Sequence, residues 1–162
     1  MKKLFVLASM LLSISAMATP KVGDYAEFNL TITNTNGSLP GSFSLEITKF
    51  DDASKNYTVK TTVQLQGQDA PQVQEDQQAE SSFLNDAAID NVLADCAGAG
   101  GTAEQVVVPA GPFNSCKFPQ NDDANNTTGF VWIAKSSFGF VKLEQTDNTN
   151  HMRQTCELKA AR

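Results

Sequence analysis

The sequence predicts a mainly β protein: a single curved antiparallel sheet of about seven or eight strands with one covering helix. Three observations carry this reading. Apolar and polar side chains alternate with period two through most of the chain. Clusters of Asn, Asp, Gly and Pro separate those runs at hairpin spacing, which implies antiparallel neighbours. Beyond the N-terminal segment, one stretch carries an apolar stripe at helical spacing: Ile89, Val92, Leu93 and Cys96 fall at i, i+3, i+4 and i+7.

The chain opens with Lys2 and Lys3, an apolar run over 4–14 and an Ala-Met-Ala at 16–18. This is the layout of a bacterial secretory signal peptide, and the apolar run is short for a membrane span. The expected organisation is therefore a signal peptide over 1–18 and a single secreted β domain over 19–162. No cysteine follows the apolar run directly, so lipoprotein processing and a stable membrane anchor are not expected. The expected address is periplasmic or secreted.

In 24–33, Ala26, Phe28, Leu30 and Ile32 point one way and Glu27, Asn29, Thr31 and Thr33 the other, as in a half-buried strand. A hairpin loop over 34–41 leads to a second strand from Ser42, with Phe43, Leu45 and Ile47 inward. After a turn at 51–54 comes a third strand, with Tyr57, Val59, Thr61, Val63 and Leu65 on one face. Residues 67–82 are polar and glutamine-rich. They read either as a solvated connection or as a polar edge strand over 73–79 that resists unwanted pairing.

The helix follows, with Asn85 or Asp86 as its cap. The glycines at 98, 100 and 101 are expected to end it in a left-handed conformation. They come after a helix rather than before one, so a phosphate-cradling loop is excluded. Strands are then expected at 104–108 and 113–118 around a Pro109-Ala110-Gly111-Pro112 turn, with a polar loop over 119–128. Residues 129–134, GFVWIA, are almost wholly apolar, as in a strand buried on both faces. Strands over 138–146 and 151–158 complete the set.

The full chain has 12 basic and 18 acidic side chains, a net charge of −6, and no basic cluster. Loss of a leader carrying Lys2 and Lys3 would make it more acidic, so binding to nucleic acid or an anionic membrane by charge is disfavoured. The three cysteines, Cys96, Cys116 and Cys156, allow three pairings in an oxidising compartment. Cys96 with Cys116 is favoured because the segment between them turns back on itself, and such a bridge would contribute about 3 kcal/mol. Cys156 falls on the apolar side of its strand and is expected as a buried free thiol.

Catalytic and metal chemistry have little to draw on. His151 is the sole histidine and sits on a polar face without a nucleophile motif beside it. The cysteines lack zinc-site spacing. Asp122 and Asp123, with the neighbouring asparagines, lack the alternating ligands and glycine of a calcium loop, and Asp51-Asp52 read as turn residues. An enzyme is not expected, nor a cofactor or a metal. The aromatics stand out instead: Phe28, Phe43, Phe113, Phe118, Phe130, Trp132, Phe138 and Phe140 are many for one sheet with one helix to cover it. They form either an ordinary packed core or an apolar concavity that takes a greasy ligand. For the second reading the candidate lining residues are Phe28, Phe43, Leu93, Trp132 and Val141.

The segments VVVPAGPFNSC (106–116) and GFVWIAKSSFGFVKLEQ (129–145) resemble a pattern in secreted bacterial β-proteins: a V-x-V-P-A-G-x-F hairpin, a W-x-A strand and a G-x-V-K-x-E strand. Those proteins are loosely similar to the LolA/LppX-like curved-sheet lipoprotein carriers. Pro109, Ala110, Gly111 and Phe113 match the hairpin, and Trp132, Gly139, Val141, Lys142 and Glu144 the later strands. The resemblance covers about the last third of the chain and implies a curved-sheet carrier fold. The functional expectation is a non-enzymatic binding or carrier module for an apolar ligand, a lipid or a cell-envelope component. The alternative is a structural or protein-interaction module that pairs through an exposed sheet edge. Nothing in the sequence sets an oligomeric state.

Overall fold

The computed structural model describes residues 20–162, so the expected signal peptide over 1–18 lies outside the described residues. Four strands run as a meander: β1 (Tyr25–Asn34), β2 (Gly37–Asp51), β3 (Asn56–Leu65) and β4 (Gln72–Ala79). A 3-10 turn, Glu80–Ser82, and the helix α1 (Asp86–Ala94) lead to a second meander. Its strands are β5 (Thr102–Val108), β6 (Gly111–Asp122), β7 (Thr127–Ile133), β8 (Phe140–Asp147) and β9 (Met152–Ala161).

The nine strands form one antiparallel sheet in the order β4-β3-β2-β1-β9-β8-β7-β6-β5. The last strand returns to lie beside the first, so the two meanders join in the middle through β1 and β9. The edges, β4 and β5, are not bonded to each other, and the sheet stays open instead of rolling up strongly. At one point it does fold onto itself. The β5–β6 turn reaches the end of β9, where the Ala110 N–H donates to the Leu158 carbonyl at 2.9 Å.

Two sequence expectations are corrected. The strand that raises the number above seven or eight is β4, which pairs along its length with β3 from Asn56↔Ala79 to Val63↔Gln72. Its residues alternate between half-buried and exposed. An edge strand with little to bury can be polar throughout, so it lacks the apolar signal of its neighbours. The polar stretch after Phe118 is also largely strand, because β6 runs on to Asp122 and pairs with β7 through Asp122↔Thr127. The turn itself is short: Asn125 donates its backbone N–H and its side-chain amide to the Asp122 carboxylate, at 3.2 and 2.6 Å. Asp122 is thus occupied in closing a hairpin.

Register decides which side chains share a face. Leu30 lies opposite Cys156, Cys156 opposite Leu143, Leu143 opposite Val131, and Val131 opposite Phe118. Together with Phe28, Phe43, Leu45, Val59 and Leu158, all of these but the half-buried Phe118, which packs against them, belong to one buried cluster on what we term the core face. Phe28 stacks on Phe140 at 4.8 Å and tilts against Phe43 at 5.5 Å, so one ring ties β1 to both halves of the sheet. The α1 stripe covers part of this face, with Ile89 buried and Val92 and Leu93 half-buried against the cluster.

The helix begins as expected, with Asn85 Oδ1 accepting from the Ala88 N–H at 2.8 Å. Its end is different. Asp95 occupies the C-terminal cap and its carboxylate accepts from the Gly98 N–H at 2.9 Å, while the left-handed glycine is Gly100, further on, with φ 87°. The glycine next to it serves packing: a Cβ on Gly101 would lie 2.4 Å from Cys116 Sγ and 3.0 Å from Cys96 Sγ. The glycine run therefore makes room for the Cys96–Cys116 disulfide, which ties the end of the helix segment to β6 with a Cα–Cα distance of 5.6 Å. Among the described residues no helix is long and apolar enough to cross a membrane.

Candidate functional site

Two surfaces present chemistry, one on each side of the sheet. On the core face, the residues expected to line an apolar ligand site are mostly sealed. Phe28, Phe43 and Val141 are buried, and Leu93 on α1 is half-buried against the same cluster. Phe28 and Phe43 touch. Val141 sits where the β7–β8 register slips, between the pairs Trp132↔Lys142 and Ile133↔Phe140. One polar atom breaks the apolar run: Thr61 Oγ1 is buried and has no hydrogen-bond partner among the described residues. An unmade bond of this kind is costly in a low-dielectric interior.

Trp132 is not brought to that face. Its neighbour Val131 points into the core, so Trp132 points to the other side, opposite Lys117 on β6 and Lys142 on β8. In an apolar run such as GFVWIA, alternation gives no sign of which residues face which way. Trp132 is nonetheless only 4% exposed, because polar chains close over it. Its indole N–H donates to the Glu104 carboxylate of β5. The ammonium groups of Lys117 and Lys142 stand 4.8 and 5.1 Å from its ring centroid.

The network continues along the open face. Lys142 pairs with Glu144 and with Glu157, each at 3.1 Å, and Glu144 also accepts from Arg153 at 2.8 Å. Burial pulls the Lys142 ammonium down, but its hydrogen bonds to Glu157 and Glu144 outweigh this and hold its pKa above the ordinary lysine value. Burial likewise pushes Glu144 up, and the bonds from Lys142 and Arg153 prevail and hold it below the ordinary carboxylate value. Trp132, Lys142 and Glu144 are the residues of the W-x-A and G-x-V-K-x-E strands, so these two motifs meet in one structural network. Sequence reasoning missed Lys117, Glu104 and Arg153, which reach this face only through strand register.

Beside the network runs a groove of about 510 Å³ lined by Pro119, Asn121, Thr128, Gly129, Phe130, Glu144, Thr146 and Arg153. Phe130 is 40% exposed there. His151, the sole histidine, is not among its lining residues; it is exposed in the β8–β9 turn at φ 51°. Cys156 is buried and free, as expected. Its thiol is pushed up to about 12 by burial, opposed by the Gln154 side chain at 3.8 Å.

No protein-family model matches the chain, and no curated protein matches it in sequence. Among solved structures, it is similar to a Bacteroides fragilis protein described as exported and as having a YmcC-like fold. That likeness has a TM-score of 0.51 at 11% identity and covers 90% of this chain and 98% of the other. A Parabacteroides distasonis protein described as a lipoprotein aligns at TM-score 0.46 and 10% identity over 91% of this chain and 99% of its own. An outer membrane lipoprotein-sorting protein domain from Vibrio parahaemolyticus aligns at TM-score 0.29 and 8% identity over 88% and 86%. The first likeness shows a shared fold; the other two are too loose to support a conclusion. The Cys96–Cys116 disulfide is consistent with an extracytoplasmic location.

Proposed function

We propose that the protein is a non-enzymatic extracytoplasmic binding module that takes an apolar ligand or a lipid-like envelope component between the core face of its sheet and α1. The observation that supports this is the shallow hold of α1 on a wide apolar face. The helix buries Ile89 alone, packs mainly against β6, and is fastened covalently only near its C-terminal end by Cys96–Cys116. Its outer contact to the β7–β8 loop is an exposed ion pair, Lys135–Asp90 at 2.5 Å, of the kind that contributes little. The helix can therefore swing on its disulfide while the sheet stays intact. Thr61 then offers a hydroxyl to the polar end of a ligand on that face.

Native mass spectrometry of protein purified gently from its own compartment tests the reading. A co-purifying lipid, lost when α1 is stapled to the sheet by a second engineered disulfide, is the expected result. Lipid-free protein that also fails to take up a fluorescent fatty acid would refute it.

A second reading rests on β4. Its outer backbone edge carries no partner strand among the described residues, which suits addition of a strand from another protein. Proline at Glu75, an alternate position whose N–H faces away from β3, would weaken such a partnership without disturbing the Thr61 pairing or lipid uptake.

A further inference from the structure

We infer that the open-face groove beside Trp132 is a second binding site, independent of the core face, and that it takes a neutral pyranose glycan. The lining has the two-sided chemistry that a sugar ring presents. Phe130, 40% exposed, and the ring of Pro119 offer flat apolar surface to the C–H face of a pyranose. Asn121, Thr128 and Thr146 offer amide and hydroxyl groups to its hydroxyl edge. Glu144 and Arg153, held 2.8 Å apart, set an acceptor beside a donor, the pattern that neighbouring hydroxyls on a sugar satisfy. The volume of about 510 Å³ lies within the range of small-ligand sites.

The same observations weigh against other ligand classes. The charges in the lining, Glu144 and Arg153, cancel and are already paired. Among the described residues the one unpaired cation beside it, Lys117, is turned onto the Phe130 and Trp132 rings, so the lining itself offers no counter-charge to a phosphate or a carboxylate. The groove crosses strands β6 to β9, where backbone N–H and C=O groups are engaged in the ladder. An extended peptide would therefore find no main-chain partners in it.

The platform is also held rigid before any ligand arrives. Lys117 makes no ion pair among the described residues. Instead its ammonium stands 4.2 Å from the Phe130 centroid and 4.8 Å from that of Trp132, bracing both rings. Rings fixed in advance lose little freedom when a sugar stacks on them.

Trp132, the single tryptophan of the chain, is a built-in reporter next to the groove. The test is titration of the intact protein with cellohexaose and, in parallel, maltohexaose, followed by tryptophan fluorescence and by amide chemical shifts. The expected result is saturable binding to at least one sugar, with shifts confined to residues 117–121, 128–132, 144–146 and 153. Phe130→Ala should weaken binding about five- to tenfold, and Phe130→Trp should restore it. Thermal melts confirm that both variants fold. Absence of any shift at tens of millimolar of either sugar, shifts that map elsewhere, or binding indifferent to Phe130→Ala would each overturn the assignment. A fluorescent fatty acid bound equally by wild type and Phe130→Ala keeps the outcome separate from that of the core face.

Discussion

Gly101 lies directly against Cys116: a Cβ added to the glycine would stand 2.4 Å from the cysteine sulfur. The relationship explains why the segment after α1 is so rich in glycine. The chain must pass close over its own disulfide, and a side chain at this position has nowhere to go. Gly101→Ala is expected to destabilise the protein by about 1–3 kcal/mol, the usual cost of forcing extra volume into a packed site. Urea unfolding measures this, and an unchanged midpoint would mean that the loop relaxes freely.

The disulfide itself should matter by a similar amount. Replacing Cys96 and Cys116 together by serine removes a closed loop with a sequence separation of 20 and should cost about 3 kcal/mol. Thiol counting in unreduced wild type should find one free thiol, Cys156, reactive after denaturation and silent before it. A second reactive thiol would show that the bridge is incomplete.

Cys156 also sets an alkaline limit on stability. Burial raises its folded-state pKa from the usual value of 9.0 to about 12. Between those values the unfolded chain releases a proton that the folded protein keeps, so stability falls as pH rises through this window. Comparison of wild type with Cys156→Ala by urea unfolding from pH 8 to 11 isolates the effect. The stability difference between the two should shift steadily against wild type above pH 9, and a constant difference would contradict the buried environment.

Thr61 predicts a gain. Its hydroxyl is buried without a partner, so the isosteric Thr61→Val should stabilise the ligand-free protein by about 1–2 kcal/mol. The same change should weaken binding of a lipid whose polar end meets that hydroxyl. A variant that is less stable than wild type would show that the hydroxyl does find a partner.

The open-face ion network should respond to acid. Lys142→Met leaves Glu144 and Glu157 without their shared cation, and with solvent screening the expected loss is about 0.5–1 kcal/mol at neutral pH. Glu144 has a lowered folded pKa, so its contribution is present above the ordinary glutamate value of 4.5 and disappears as pH falls through the folded value. The gap between wild type and Lys142→Met should therefore close in acid, as read from melts between pH 3 and 7.

Much of this architecture follows from the sequence by itself, because the interactions responsible are local. Period-two alternation over residues such as Phe28, Leu30, Val59 and Val63 reports a strand with one buried face whatever it pairs with. The Asn85 cap engages an N–H three residues away, and the Cys96–Cys116 bridge closes a segment that already turns back on itself. Tertiary structure decided what depends on distant partners. A polar run such as Gln72–Ala79 becomes a strand only because β3 supplies its hydrogen bonds. Ala97 to Gly101 reads as a helix stop until the disulfide is seen to need the space. Trp132 sits in a run that is apolar on both sides, so its face was set by the register of β7 against β6 and β8. That register gathers Lys117, Phe130, Glu144 and Arg153 into one surface, since pairing across strands joins residues that no spacing along the chain relates.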